Sequence, residues 1–372
     1  MVASVASTRS VRRDDRPRSG GACQQYLALV RGETRGLWPS VQRAALWLAS
    51  VPYGIVVRLR NLAFDRGWAH CHRVGIPVVS IGNLTVGGTG KTPCVEYVAD
   101  YYRERGLRVA ILSRGYGAAE GPNDEALVLG QNLPDVPHLQ GADRTGLARA
   151  AVARFRSEVL VLDDGFQHRR LGRDLDLVLV DATAPCGYGR LLPRGLLREP
   201  VSGLARADAI LLTRCDQIAA GVRREVRGLV TRMAPGTPLV ETRHQPVCLT
   251  NSDGDDTSLT ALHARPVTAF CGVANPDAFR RTLTDLGASV TAFRVYPDHH
   301  RYTGRDVEEL ECWSRTLPPR SLIVTTQKDL VKLRRTALGD CPLWSLRIRL
   351  RVEAGGEVLT ERLESVLGKE RS

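Results

Sequence analysis

An apolar, β-branched run, Pro77-Val78-Val79-Ser80-Ile81, leads straight into Gly82-Asn83-Leu84-Thr85-Val86-Gly87-Gly88-Thr89-Gly90-Lys91-Thr92-Pro93, and a helical pattern begins near Val95. No other feature constrains the fold as strongly. A glycine-rich turn between a strand and a helix lets backbone N–H groups curl around phosphate oxygens at a helix N-terminus, whose dipole favours anions. Lys91 supplies a point charge to the β- and γ-phosphates, and the Thr92 hydroxyl is placed to hold Mg²⁺. The general pattern G-x-x-x-x-G-K-[ST] asks for glycine where Thr85 stands, but Gly90, Lys91 and Thr92 keep their places. The expected nucleoside triphosphate site therefore comprises Thr85, Val86, Gly87, Gly88, Thr89, Gly90, Lys91 and Thr92. A plain strand–turn–helix corner is the competing explanation, and Gly-Lys-Thr in this setting disfavours it.

From Pro77 onward, strand-like runs alternate with helical patterns, the signature of a mainly parallel sheet with helices on both faces. Strands are expected near Val78–Ile81, Val109–Ser113, Ala126–Leu129, Val159–Asp163, Leu177–Asp181 and Ile210–Thr213. After the polar loop Asn251-Ser252-Asp253-Gly254-Asp255-Asp256, more follow at Val267–Cys271, Val290–Phe293, Leu322–Thr326 and Trp344–Arg349. This predicts a P-loop NTPase-like domain over 61–245 and a second, smaller α/β lobe over 246–372 that completes a cleft. Ligands of such sheets bind beyond the carboxyl ends of the strands, so motifs at strand ends become site candidates.

Upstream, residues 1–25 carry Arg9, Arg12, Arg13, Arg16 and Arg18 among Ser, Gly and Asp, a composition expected to stay disordered. Tyr26 to Val30 is too short for the apolar core of a signal peptide. Residues 26–60 contain the most apolar stretch, Leu37 to Leu59, interrupted by Arg43 and broken by Pro52 and Gly54. Its uncharged part, Ala44 to Val57, falls short of the ~20 residues that cross a bilayer. Trp38, Trp47 and Tyr53, flanked by Arg35, Arg43, Arg58 and Arg60, suit a helix lying among lipid headgroups. A helix packed on the protein's own core would show the same periodicity.

The net charge of +12 implies an anionic partner: nucleic acid, an acidic membrane or a phosphorylated substrate. Aromatics are only 5%, with no basic–aromatic interleaving of the kind that stacks nucleobases, so nucleic acid is not expected. The nine cysteines are scattered without a C-x-x-C pair, which indicates neither a zinc site nor a disulfide framework and fits a reducing compartment. His70-Cys71-His72 cannot converge on one metal from a regular element and is assigned no role.

Val159-Leu160-Val161-Leu162 delivers Asp163 and Asp164 at a strand end, where a carboxylate can reach the Mg²⁺ of the phosphate loop. An Asp-Gly turn closing a strand is the simpler alternative. A phosphoryl transferase also needs a base and further cations. Candidates are Ser113-Arg114-Gly115-Tyr116-Gly117, Asn123-Asp124-Glu125 at the start of the expected third strand, and Tyr296-Pro297-Asp298-His299-His300. An Asp paired with a His across a cleft would make a general base, although such pairs more often cap turns.

Together these motifs resemble one family, the tetraacyldisaccharide 4'-kinases that phosphorylate the lipid A precursor of Gram-negative bacteria. The markers are the phosphate loop Gly82 to Pro93, Ser113 to Gly117, Asp124-Glu125, Asp163 to His168, Leu192-Pro193-Arg194-Gly195-Leu196-Leu197-Arg198-Glu199-Pro200, Gly272 to Pro276, Pro297-Asp298-His299 and Thr326-Gln327-Lys328-Asp329. They cover the chain from about Trp38 to its last helix, and Thr85 in place of glycine is itself typical of the family. One departure is Asn123, which precedes Asp124 where the family usually has Gly.

The resemblance implies ATP-dependent phosphorylation of the 4'-hydroxyl of an acylated glucosamine disaccharide 1-phosphate, giving lipid IVA at the cytoplasmic face of the inner membrane. It implies Asp124 as base with His299 as its partner, Lys91 and Thr92 on phosphate and Mg²⁺, and Asp163 and Asp164 as metal-side acids. Arg114, Arg169, Arg170 and Arg198 become candidates for the substrate phosphate, and the Leu37–Leu59 segment becomes the peripheral membrane and acyl-chain contact. A regulatory P-loop ATPase acting at the membrane is the alternative, but Val86 occupies the position of its signature lysine. A GTPase would carry Asn/Thr-Lys-x-Asp, whereas Lys328 and Asp329 are adjacent.

Overall fold

In the computed structural model, residues 21–115, 122–263, 265–318 and 321–368 are described. The first twenty residues of the basic extension, and Tyr116 and Gly117 of the Ser113 motif, lie outside them. Residues 21–25, expected to be disordered, instead begin helix α1 (Gly21–Arg31), which precedes the long α2 (Leu37–Asp65). The phosphate-loop domain then runs β1 (Val78–Asn83), α3 (Lys91–Arg103), β2 (Val109–Ser113), α4 (Asp124–Asn132), β3 (His138–Gln140), α5 (Arg144–Phe155), β4 (Val159–Asp163), β5 (Leu175–Asp181), β6 (Ala209–Thr213), α6 (Ala220–Met233) and β7 (Leu239–Thr250). There follow β8 (Asp256–Thr257), β9 (Val267–Cys271), α7 (Pro276–Asp285), β10 (Val290–Val295), α8 (Gly304–Ser314), β11 (Leu322–Thr326), α9 (Gln327–Leu333), β12 (Ala337–Leu338), β13 (Cys341–Ala354) and α10 (Gly356–Ser365).

Among the described residues, thirteen strands join one sheet, ordered β10-β9-β11-β13-β7-β6-β5-β1-β4-β2-β3 with β12 and β8 at its margins. Pairing is parallel except where β7 runs antiparallel to β13 and at the two short marginal strands. The strands β1, β2, β4 and β6 are buried along their whole length, which is why they read as continuous apolar runs. Val79 and Ile81 of β1 pack against α3, with Val95 and Val98, while Val78 faces the opposite layer with Ala148 and Ala151 of α5. The second half repeats this sandwich, with α7 on one face and α8 and α9 on the other.

Three further features differ from the sequence expectations. The run Ala126–Leu129 is helix α4 rather than a strand, because Asn123 caps it by accepting from the Ala126 N–H at 3.0 Å and two acids occupy its first turn. A short apolar run does not separate the two states by periodicity. Secondly, α2 continues unbroken through Pro52 and Gly54. Gly54 lies in close contact with Leu191, so its lack of a side chain lets the helix seat on the protein. Thirdly, the expected boundary between 245 and 246 falls inside β7, which hydrogen-bonds β6 on one side and β13 on the other. Helix α10 also returns to the first core, where Leu359 and Leu363 are fully buried beside α3 and the Tyr102 hydroxyl donates to the Leu363 carbonyl at 2.9 Å.

Candidate active site

The phosphate loop leaves β1 and closes on α3 through two left-handed glycines, Gly87 (φ 110°) and Gly90 (φ 87°), conformations that a Cβ would oppose. Its shape is fixed by neighbours. The Val86 N–H donates to the Leu196 carbonyl at 2.8 Å, the Arg198 N–H to the Leu84 carbonyl at 2.7 Å, and the Thr213 hydroxyl to the Thr89 carbonyl at 2.9 Å. The Leu192–Pro200 motif is thus the buttress of the loop. Thr92 is buried in the first turn of α3, and Lys91 Nζ lies 3.4 Å from Asn83 Oδ1 and 3.6 Å from Asp164 Oδ1.

A cavity of about 2020 Å³ opens over the carboxyl ends of the strands, and Val86, Gly87, Gly88, Gly90, Lys91, Thr92, Asp124, Asp163, Asp164 and His299 all line it. Thr85 and Thr89 of the expected set are not among its lining residues, and Thr89 is buried in the loop's base.

The two acids after β4 have different surroundings. Asp164, in a left-handed conformation (φ 52°), receives both oxygens' worth of bonds from Arg198 at 2.8 Å and also faces Lys91. Burial pushes its carboxyl up, but the charges of Lys91 and Arg198 outweigh that and hold it below the ordinary value. Asp163 is raised, first by burial and then by the nearby Glu125 charge, and its Oδ1 is buried with no hydrogen-bond partner. A buried carboxylate oxygen in that state calls for a cation. Thr92 and Asp163 therefore fit a hard divalent ion, whereas Asp164 is already neutralised by side chains. Among the described residues no cluster of three or more His, Cys, Asp or Glu side chains could hold a metal by itself, so phosphate oxygens would have to complete the shell.

Asp124 and His299 meet across the cavity. His299 Nδ1 lies 2.8 Å from Asp124 Oδ2, a contact between α4 and the turn after β10. Burial favours the neutral Asp124, but the His299 hydrogen bond and the Lys328 charge outweigh it and hold the carboxyl down to about 2. In return the Asp124 hydrogen bond raises His299 above its ordinary value, against the effect of burial. His299 is itself held in a left-handed conformation (φ 57°), its N–H donating to the Gly272 carbonyl at 3.2 Å. Gly272 N–H donates in turn to the fully buried Asp329 at 3.0 Å. Two motifs distant in sequence thereby become one bracket for His299. Thr326 caps α9, its hydroxyl accepting from the Asp329 N–H at 3.3 Å and donating to the Asp329 carboxylate at 2.7 Å, while Lys328 reaches Glu125 at 2.7 Å. Thr326-Gln327-Lys328-Asp329 is both a helix cap and part of the contact between the two halves.

Sequence reasoning passed over several residues of the site. Lys332 lies 3.9 Å from Asp124 and 3.2 Å from Asp329. The Arg144 guanidinium donates to the Asp164 carbonyl at 3.0 Å, and His244 is buried against Gly90. Arg214 follows the end of β6 and could have been found by the strand-end rule, whereas His244, in the middle of a strand, carries no sequence signal. Arg114, Arg169, Arg170 and Arg198 line the same cavity; Arg169 is engaged by Asp65 at 2.7 Å and Arg198 by Asp164. His70 and His72 also line the cavity, as does Phe64 near the end of α2.

Comparison with known proteins matches this geometry to one family. The model of tetraacyldisaccharide-1-P 4'-kinases matches residues 42–368. The chain belongs to the tetraacyldisaccharide 4'-kinase family. It is therefore a kinase. A tetraacyldisaccharide 4'-kinase of Anaeromyxobacter sp. (strain K) is 43% identical over 353 residues, covering 87% of this chain and 90% of the relative. That of Syntrophus aciditrophicus (strain SB) is 38% identical over 87% of this chain and 95% of the relative. The crystal structure of the Aquifex aeolicus enzyme of the family in complex with ATP superposes with a TM-score of 0.71 at 32% identity, covering 87% of this chain and 99% of that one. The family's mainly parallel, P-loop NTPase-like fold is the one seen here.

Proposed function

We propose that this tetraacyldisaccharide 4'-kinase transfers the γ-phosphate of ATP to the 4'-hydroxyl of a tetraacylated glucosamine disaccharide 1-phosphate, with Asp124 as the base. One observation carries the assignment of roles: a carboxylate paired with an imidazole faces a phosphate loop across a single cavity. Asp124 accepts the proton of the attacking hydroxyl, the oxygen bonds to the γ-phosphorus, and ADP departs. His299 positions the carboxylate and keeps it ionised; Lys328 and Lys332 support the same state. Phosphoryl transfer asks the protein mainly for positioning and for cations around the equatorial oxygens, which Lys91 and the arginines of the cavity provide. Mg²⁺ held by Thr92 and Asp163 would neutralise charge developing on the phosphates.

Helix α2 supports a peripheral membrane site at the cytoplasmic face of the inner membrane. Its Ser50, Gly54 and Val57 are buried against the protein, while Leu37, Trp38, Leu48, Ile55 and Leu59 are exposed on the remaining surface. Among the described residues no helix is long and apolar enough to cross a membrane. Tyr53 and Val57 of the same helix line the cavity, which would bring a lipid's sugar head to the kinase site while its chains stay in the bilayer.

The direct experiment incubates the detergent-solubilised protein with Mg-ATP and the acylated disaccharide 1-phosphate. A mass gain of one phosphate on the lipid is expected. ATP turnover with an unmodified lipid would reject the proposed acceptor.

A further inference from the structure

Asp124 is held from the second half of the protein by His299, and from the first half by contacts outside the cavity. It is the first residue of α4; one carboxylate oxygen accepts from the Glu125 N–H at 3.0 Å, and the other meets His299 at 2.8 Å. The aim of the carboxylate therefore follows the first turn of that helix. Asn123 caps the turn, at a position where the family usually has Gly.

Gln140, the last residue of the edge strand β3, clasps that cap at two points. Its amide donates to Asn123 Oδ1 at 2.9 Å, and its Oε1 accepts from the Asn123 backbone N–H at 3.3 Å. Asn123 Oδ1 thus receives two bonds, the other from the Ala126 N–H at 3.0 Å. The clasp has its own anchor. Gln140 lies opposite Ser113 in the parallel pairing of β3 with β2, and the same amide donates to Ser113 Oγ at 3.0 Å, which lies 2.9 Å from His138 Nε2. Both amide hydrogens and the carbonyl oxygen of Gln140 are therefore engaged, so its side chain has one defined place. Asn123 lines the cavity, whereas Gln140 is not among the lining residues, so Gln140 bears on the reaction only through what it holds.

We propose that Gln140 and Asn123 are positioning residues for phosphoryl transfer, their two-point clasp holding the start of α4 so that Asp124 stays in register with His299. The inference rests on Asp124 as the base and adds what sets its place from the β3 side. The competing account is that Asn123 only caps α4 and that Gln140 only closes the sheet edge. Serine separates the two, because it caps a helix about as well as asparagine, while its shorter side chain cannot also reach Gln140.

Two measurements on the full chain test the clasp: steady-state kinetics with Mg-ATP and the acylated disaccharide 1-phosphate in detergent, and the titration of the His299 ring followed by NMR, its signals assigned with His299→Gln. Gln140→Met keeps the volume and removes both polar ends. It is expected to lower kcat by about 10-fold or more, within the ~10²-fold that a 1 Å misplacement can cost, while the KM for ATP changes by less than about 2-fold. Asn123→Ser should fall likewise, and adding it to Gln140→Met should bring little further loss, because both remove one contact. In both variants the His299 titration should drop from its raised value toward the ordinary one near 6.5, since the Asp124 bond that raises it is loosened. Asp298 and Lys328 also face that ring and are unchanged in both. Should Gln140→Met not fold, Asn123→Ser carries the test by itself. Parental kcat in either variant, or a lost rate with the His299 titration unmoved, overturns the proposal. Asp124→Ala is run alongside: parental kcat there rejects the base and the clasp together, whereas a disabled Asp124→Ala beside an unaffected Gln140→Met rejects the clasp alone. If the parent leaves this lipid unphosphorylated, the acceptor assignment fails and the His299 titration decides the clasp.

Discussion

Asp124 and His299 are 175 positions apart in the chain and 2.8 Å apart in space, joined through one hydrogen bond between two halves of the protein. The bond does not stand alone. Glu125 meets Lys328 at 2.7 Å, and Gln327 donates to Asn132 at 3.0 Å, so α4 is tied to α9 along the same seam. The acid of the pair is thus positioned by one core and its partner by the other, and the pair exists only while the halves are in contact.

Asp124→Ala is expected to lower kcat by about 10²- to 10⁴-fold, the usual contribution of general acid–base catalysis, while ATP affinity changes little. A base acts on the transition state, and Asp124 is not part of the phosphate loop. Steady-state kinetics with lipid and ATP varied in turn, together with ATP binding at equilibrium, measure both. Retention of parental kcat would move the base elsewhere, with Asp164 the next carboxylate to test.

The same pair gives a pH dependence whose sign can be worked out. Asp124 is depressed to about 2, so its contribution to stability is complete above the ordinary carboxylate value near 4 and fades as pH falls toward 2. His299 is raised, so its contribution is complete below about 6.5 and is lost as pH climbs through the higher folded-state value. The pair stabilises most between roughly pH 4 and 6.5. Denaturant unfolding of the parent and of His299→Gln should therefore differ more at pH 5.5 than at pH 8.5. Because the imidazole is 57% exposed, solvent screening limits the difference to about 1 kcal/mol or less. A gap that widened with pH would contradict the ion-pair assignment.

Much of this was legible in the sequence, for reasons that differ by element. The strands Val109–Ser113, Val159–Asp163, Val267–Cys271 and Leu322–Thr326 fall where expected, because a strand buried on both faces must be apolar throughout and stops where polarity begins. Leu239–Thr250 escaped notice: it is polar over much of its length, and its antiparallel pairing with Cys341–Ala354 is a long-range fact. Helix α4 was misread since Ala126-Leu127-Val128-Leu129 suits either state, and the decisive Asn123 cap lies outside the apolar run. Asp124 and His299 could be paired only through the family resemblance. The residues around them, Lys332 and the Gly272–Asp329 bracket, are brought together by packing, which no spacing in the chain announces.

Asp163 supplies a prediction without reference to pH. Its Oδ1 is buried and unpaired, so in the absence of a cation the carboxyl is a cost to the fold. Asp163→Asn should unfold at a higher temperature than the parent in chelator, by a few degrees for about 1 kcal/mol. Its activity should fall by at least about 10²-fold, the scale of losing one preorganised electrostatic contact. The stabilisation that Mg-ATP gives over metal-free ATP should also shrink. Thermal melts in chelator, with ATP alone and with Mg-ATP, test these together. A variant that is less stable in chelator and still gains from Mg²⁺ would remove Asp163 from the metal site.

Helix α2 bears on how the phosphate-loop fold reaches a lipid. Leu37 is 84% exposed, Trp38 70% and Leu48 66%, on a helix whose opposite stripe, Ser50, Gly54 and Val57, is packed on the protein. Large apolar side chains scattered singly need no explanation, but a one-sided row on a 29-residue helix does. Tyr53 fixes the helix by donating to the Arg198 carbonyl at 2.7 Å, beside the buttress of the phosphate loop, so the exposed stripe and the kinase site have a set relation. Replacing Trp38 and Leu48 with Ser removes two side chains worth about 1.5–3 kcal/mol each if fully buried in the acyl boundary, and less if they are only partly inserted. Co-sedimentation with anionic phospholipid vesicles should then weaken by about 10-fold or more. The rate on lipid dispersed in detergent should change far less, because neither residue lines the cavity. Equal losses in both assays would instead make the stripe part of the substrate site, and unchanged sedimentation would mean that membrane contact lies elsewhere.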